Sequence, residues 1–217
     1  MLRLLALPLA LVAVGQSAQR YESTIRTIPP KLEASLVKTG SWRGGCPVGL
    51  ADLRLLTVSH WGFDGRVREG QLVVHEDAAR PLATVFRRLY RLKFPIRHMR
   101  LAHMYGPERA RPAGGDVTGA FRCRQSVPSP CVGGSASGRW SNHAYGLAVD
   151  INPVENPYVG CDRVRDPASA RYVDRSRLRK GMVTPAVVRA FRAIGWGWGG
   201  GWTGATKDYM HFSVNGR

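Results

Sequence analysis

Apolar and polar side chains change their spacing several times along this 217-residue chain, and each change marks an element. Residues 53–61 and 71–75 carry short runs that predict strands. Over residues 78–93 the period lengthens. Leu82, Val85, Phe86, Leu89 and Tyr90 then fall on one stripe of a helix, which reads as core packing. Residues 96–103 suit another strand. A second helix is predicted to start at Thr184 and Pro185, to bury Val187, Val188, Phe191 and Ile194, and to end at Gly195. Residues 146–152 alternate, with Leu147, Val149 and Ile151 on one face and Gly146, Ala148 and Asp150 on the other. A strand there buries the aliphatic face and turns Asp150 toward a cleft lined by small residues.

Strands and helices without regular βαβ alternation predict an α+β domain, a single compact unit with a small antiparallel sheet flanked by helices. It is expected over residues 46–217. Residues 19–45 mix polar side chains with Pro29, Pro30, Gly44 and Gly45, and read as a tether or partly ordered arm. Residues 106–139 turn to Gly, Pro, Ser and Arg, which predicts a long loop pinned by Cys123 and Cys131. At the start, Arg3 precedes an apolar run from Leu4 to Val14, and small residues follow. Residues 1–18 read as a signal peptide, since the run is too short to span a bilayer. A retained anchor is the alternative, because one positive charge precedes the run. No transmembrane segment is expected after signal cleavage, and no internal repeat is visible.

Two short segments carry the candidate chemistry. The first holds Ser141, His143, Tyr145, Gly146 and Asp150; the second holds Asp208, His211 and Phe212. Zinc hydrolases hold their metal with three protein ligands, often two His and a carboxylate, and keep a fourth position for water. A carboxylate outside the ligand set can take that water's proton. His143, Asp150 and His211 suit the ligand role and Asp208 the base. A Gly-containing turn before the strand would fold His143 back beside Asp150. Asp208 and His211 have opposite parity, so a turn or bulge must separate them. His60, His75, His98 and His103 pair with no carboxylate at comparable spacing and are left out of the ligand set.

These residues resemble the signature of zinc D-alanyl-D-alanine carboxypeptidases and L-alanyl-D-glutamate endopeptidases. The likeness rests on Ser-x-His-x-x-Gly-x-Ala-x-Asp from Ser141 to Asp150 and on Asp-x-x-His-Phe from Asp208 to Phe212. It extends through Phe121 to Arg124, Asp150 to Pro153, Asn156 to Tyr158 and Gly195 to Gly200, over roughly residues 50–214. The resemblance implies one zinc ion on His143, Asp150 and His211, with Asp208 as the catalytic acid. It also implies the compact fold shared with the hedgehog signalling domain, and peptidoglycan stem peptides as substrate. Arg124 matches the position of a cation that steadies an oxyanion or a substrate carboxylate. Ser141 would hydrogen-bond substrate or cap its turn, and Tyr145 is a further pocket candidate. Trp196, Trp198 and Trp202 read as packing beneath the sheet. Relatives tend to carry Asn where this chain has Val117 and Arg122, which touches substrate preference and not the metal shell. Two other classes remain open: a non-catalytic wall-binding module, and a zinc amidase cutting another wall bond.

Charge and cysteines narrow the setting. The chain carries 32 basic and 15 acidic residues, for a net charge of +17. Such a surface attracts polyanions. With a signal peptide ahead of it, the expected partners are peptidoglycan and anionic wall polymers, not nucleic acid, in a secreted, cell-wall or periplasmic location. The stretch 171–180 reads as a solvated basic loop or helix face. Cys46, Cys123, Cys131 and Cys161 fit an oxidising compartment, and no Cys-x-x-Cys spacing suggests a metal. Three pairings are possible. Cys123–Cys131 closes the shortest loop, which leaves Cys46–Cys161 to tie the N-terminal segment to the body.

Overall fold

The computed structural model describes residues 20–101, 115–127, 129, 131, 138–164 and 166–217. The signal-peptide reading of residues 1–18 lies outside these, as do residues 102–114 and most of 128–137. The architecture is α+β. Among the described residues, three small antiparallel sheets and three α-helices enclose one main core.

The first sheet has the order β1 (Ser23–Thr27), β2 (Leu53–Trp61), β3 (Val67–His75). β2 spans the predicted residues, whereas β3 begins four residues earlier than the apolar run, because its N-terminal half is polar and still pairs with β2. β1 and the helix α1 (Pro30–Lys38) both fall within the segment read as an arm. β1 pairs with β2 along its full length, and Leu36 of α1 is buried with Leu53 and Val73. The segment 96–101 forms no strand. His98 makes an isolated bridge to Val117 instead, and Pro95, just before the segment, makes one to Trp61.

Helix α2 (Glu76–Arg91) starts where the His75 ring accepts a hydrogen bond from the Asp77 amide, a cap made by a histidine at the end of a strand. Its predicted stripe is buried throughout. Helix α3 (Pro185–Arg192) is capped by Thr184, begins with Pro185 and is followed by Gly195 in the left-handed region, φ 80°, as its sequence foretold. Val187, Val188 and Phe191 pack against α2 and the second sheet, where Phe191 stacks on Phe212 at 3.9 Å.

The second sheet is β4 (Ala148–Asp150), β9 (His211–Ser213), β7 (Gly197–Trp198); the third is β6 (Arg163–Val164), β5 (Tyr158–Gly160), β8 (Thr206–Asp208). Val149 and Ile151 enter the core, as the alternation requires. Among the described residues no helix is long and apolar enough to cross a membrane.

The cysteines pair as Cys46–Cys123 and Cys131–Cys161, with Cα separations of 5.8 and 5.4 Å. This corrects the expected Cys123–Cys131 and Cys46–Cys161. The Cys123 amide donates to Ser41 O at 3.1 Å, which lays Cys123 beside the segment carrying Cys46. Cys131 lies against Thr206, next to the Ala205 carbonyl that accepts from the Cys161 amide. Tertiary neighbours chose the partners. Loop length disfavours the longer closure only weakly.

Candidate active site

The register of the second sheet sets Asp150 of β4 directly opposite His211 of β9. Cross-strand neighbours have close Cβ atoms, so residues sixty-one positions apart converge without special loop geometry. On its other edge β4 makes an antiparallel bridge with Gly119, through two hydrogen bonds of 2.9 and 3.1 Å. The carbonyl of the next residue, Ala120, accepts from His143 Nδ1 at 2.6 Å.

His143 arrives on a short 3-10 turn, Asn142–Tyr145. Ser141 caps it, accepting from the His143 amide, and Gly146 ends it at φ 71°. A Cβ on Gly146 would lie 2.5 Å from the His75 amide nitrogen, so the turn needs glycine for space as well as conformation. The predicted fold-back of His143 is therefore present. Buried Ser141 serves as the cap.

The resulting triangle is tight. His143 Nε2 lies 3.2 Å from Asp150 Oδ2, His211 Nδ1 lies 3.1 Å from Asp150 Oδ1, and the two ring nitrogens are 3.2 Å apart. Both rings are buried. Their outer nitrogens face carbonyls, Ala120 O for His143 and Arg217 O at 3.2 Å for His211, and so must carry the protons. With both rings neutral, the inner nitrogens would present lone pairs to each other and to a carboxylate, and a cation there, whether a metal ion or a proton on one ring, relieves that repulsion. Tetrahedral zinc with ligands at about 2.0–2.1 Å places them about 3.3–3.4 Å apart. Three such donors would leave a fourth tetrahedral position open. Among the described residues, His143, Asp150 and His211 form a group that could hold a metal ion.

The electrostatics agree. Burial alone would raise the Asp150 carboxyl, but the His143 and His211 rings outweigh it and hold the group well below the usual range. Burial opposes a charged His211, yet its bond to Asp150 and the Asp150 and Asp208 charges raise its pKa. Asp208 closes β8 opposite Tyr158, and the bend at residues 209–210 passes the chain into β9. That bend resolves the opposite parity of Asp208 and His211. Burial, then the Asp150 charge, push Asp208 up to about 7, against the pull of His211 and Arg124. One of its oxygens is buried with no hydrogen-bond partner among the described residues. Gly199 leaves room for it, since a Cβ there would meet the Asp208 carbonyl at 2.6 Å.

A cleft of about 210 Å³ opens beside the triangle, lined by His143, Asp150, Gln71, Arg100, Arg122 and Arg124 among others. Arg124 is thus in reach of the site. Tyr145 is not among the lining residues.

Residues 135–214 match the D-alanyl-D-alanine carboxypeptidase family. The match contains the whole triangle and Asp208, and supports a peptidase acting on peptidoglycan. Motif likeness had reached back to residue 50; the family match covers its C-terminal half. No curated protein and no solved structure matches the chain significantly.

Sequence reasoning passed over the residues that hold this site in place. Arg97 gathers two buried carboxyls, Asp116 at 2.8 Å and Glu155 at 2.6 Å, and lies over the Phe63 ring. Asp116 accepts from the Val154 amide and Thr118 from the Asn152 amide, which joins the Gly119 strip to the end of β4. Burial raises Glu155 to about 7; the Arg97 bond opposes this and the Asp116 charge adds to it. Asp116 lies nineteen residues beyond Arg97, and no spacing rule links the two. Arg175, in the stretch read as solvated, donates to Glu155 O and Val183 O and covers the Tyr209 ring. Of the tryptophans, Trp196 and Trp198 pack on the core, while the Trp202 ring lies 6.3 Å from that of His211.

Proposed function

We propose that the protein is a zinc peptidase that cleaves the stem peptides of peptidoglycan, as a D-alanyl-D-alanine carboxypeptidase or an L-alanyl-D-glutamate-type endopeptidase. The observation that carries this reading is the three-acceptor triangle beside a protonatable Asp208. His143 Nε2, His211 Nδ1 and an Asp150 oxygen would hold one zinc ion. Zinc bound there supplies a Lewis acid and lowers the pKa of water to near neutrality.

The chain's own groups do the rest. The Ala120 and Arg217 carbonyls fix the tautomer of each histidine and aim its lone pair inward. Asp208 accepts the proton of the attacking water and returns it to the leaving amine. Burial and the Asp150 charge raise this carboxyl, and a zinc ion beside it would draw it back down, so the group can both take and return a proton. Arg124, close enough to act on Asp208, would steady the negative charge that develops on the scissile carbonyl oxygen or hold a substrate carboxylate. Tyr145 has no role in this scheme, and Ser141 acts through its turn.

The two disulfides and the net charge of +17 support an exported protein retained on anionic wall polymers. The test is incubation of the zinc-loaded protein with a synthetic pentapeptide stem, followed by mass spectrometry. Release of the terminal D-alanine would mark a carboxypeptidase, and an internal cut an endopeptidase. An intact peptide and intact purified peptidoglycan would overturn the reading.

A further inference from the structure

The strip from Phe121 to Ser126 lies extended along the turn that carries His143. The Arg122 amide donates to His143 O at 3.0 Å, Arg124 O accepts from the Ser141 amide at 3.2 Å, and the Ser126 amide donates to Arg139 O at 2.8 Å. Strip positions rise by two as their partners fall by two, which is an antiparallel ribbon. The intervening amides turn the other way, Phe121 to Val73 O and Cys123 to Ser41 O, both at 3.1 Å. Alternate residues of an extended chain share a face. Cys123 is buried and bonded to Cys46, and Phe121 packs on the cluster around Leu53 and Val73. The opposite face therefore belongs to Arg122 and Arg124, with backbone origins about 6.5–7 Å apart.

Both arginines line the cleft that contains His143 and Asp150, and Arg100 lines it too. Asp150, committed to the triangle, is the one acidic residue among the described lining residues. Arg124 lines the cleft with His143 and Asp150, and its charge reaches Asp208. Arg122 follows one step along the same face. One residue of an extended peptide plus a short acidic side chain spans a comparable distance. A guanidinium grips a carboxylate through two parallel hydrogen bonds and gains much less from a neutral amide.

We propose that Arg122 is a specificity-determining residue, receiving a second, side-chain carboxylate of the peptide next to the scissile bond. Stem peptides with that carboxylate free are favoured over those with it amidated. The inference rests on the peptidase reading above and deepens it by naming the substrate class.

The test compares kcat/KM for three synthetic stem peptides: the free acid, its side-chain amide and its C-terminal amide. Wild-type protein should prefer the free acid to the side-chain amide by about 10- to 100-fold, the scale of one charge-assisted contact. Arg122→Gln, at an exposed position, should bring this ratio near one; Arg122→Lys should keep part of it. The ratio of free acid to C-terminal amide should be the same in all three proteins. Equal rates on the first pair in wild type would overturn the proposal, as would a preference that survives Arg122→Gln. A change confined to the C-terminal pair would also overturn it, assigning Arg122 to the terminal carboxylate. Cleavage of none of the three by wild type would overturn the peptidase reading, and this inference with it.

Discussion

His143 Nδ1 donates to the Ala120 carbonyl at 2.6 Å, and this bond decides which ring nitrogen faces Asp150. A carbonyl can only accept, so Nδ1 holds the proton and Nε2 is left as an acceptor in the triangle. Ala120 supplies this through its backbone, next to the Gly119 bridge that fixes Asp150 from the other side. Two of the three candidate ligands, His143 and Asp150, are thus oriented by one strip of main chain, and His211 by the Arg217 carbonyl.

His143→Ala and His211→Ala should each abolish zinc retention after dialysis and reduce turnover to background. Zinc content by elemental analysis, with turnover on the same samples, checks this. Affinity should also fall with acidity, because protons compete for the inner nitrogens and the His211 pKa is raised. Competition titrations between pH 6 and 8 that show no pH dependence would contradict the assigned donor atoms.

Asp208→Asn keeps the shape of the side chain and removes the proton acceptor. Turnover should fall by about 10²–10⁴, with zinc content unchanged. If Asp208 instead orients a ligand, zinc affinity would weaken by about 10–100-fold. Measuring both on one sample separates the roles.

Gly146→Ala should unfold the turn that presents His143. Its φ of 71° and the 2.5 Å approach of a Cβ to the His75 amide each oppose a side chain. Left-handed backbone costs about 1–2 kcal/mol and overpacking about 1–3 kcal/mol, so a loss of about 2–5 kcal/mol is expected in a denaturant titration. Zinc retention should fall with it. A variant as stable as wild type would show that the turn can shift without cost.

The carboxyl pair on Arg97 makes stability pH-dependent. Glu155 is raised from 4.5 to about 7 in the folded state, so the folded protein keeps a proton that the unfolded chain has released. The stability this group contributes is present below pH 4.5 and lost as pH rises toward about 7. Glu155→Gln, which can still donate to Asp116, should flatten that decline by on the order of 1–3 kcal/mol. Melting temperatures of both proteins across this window give the answer; parallel curves would refute it.

Peptide mapping under non-reducing conditions should recover Cys46 linked to Cys123 and Cys131 linked to Cys161. Removing either bridge by paired Cys→Ser changes should cost on the order of 4 kcal/mol by the loop-entropy relation, slightly more for the longer Cys46–Cys123 loop. Recovery of a Cys123–Cys131 peptide would contradict the pairing.

The elements legible in the sequence are those set by local forces. The α2 stripe, the Thr184 and Pro185 start of α3, its Gly195 end and the alternation around Asp150 each follow from residues a turn or a pleat apart. The metal-ligand candidates were legible for a related reason, since Ser141, His143, Gly146 and Asp150 form one cap, turn and strand. Even the break between Asp208 and His211 could be foreseen from side-chain parity. What the sequence by itself did not determine was everything that depends on distant chain meeting: β1 added to the first sheet, Arg97 gathering Asp116 and Glu155, and the disulfide partners. Backbone carbonyls such as those of Ala120 and Arg217 carry no residue-type signal at all, so their grip on His143 and His211 could appear only in three dimensions. The physical reason is common to these cases. Loop-closure entropy changes slowly with chain separation, so pairings with very different loop lengths differ little until packing and backbone hydrogen bonds choose among them.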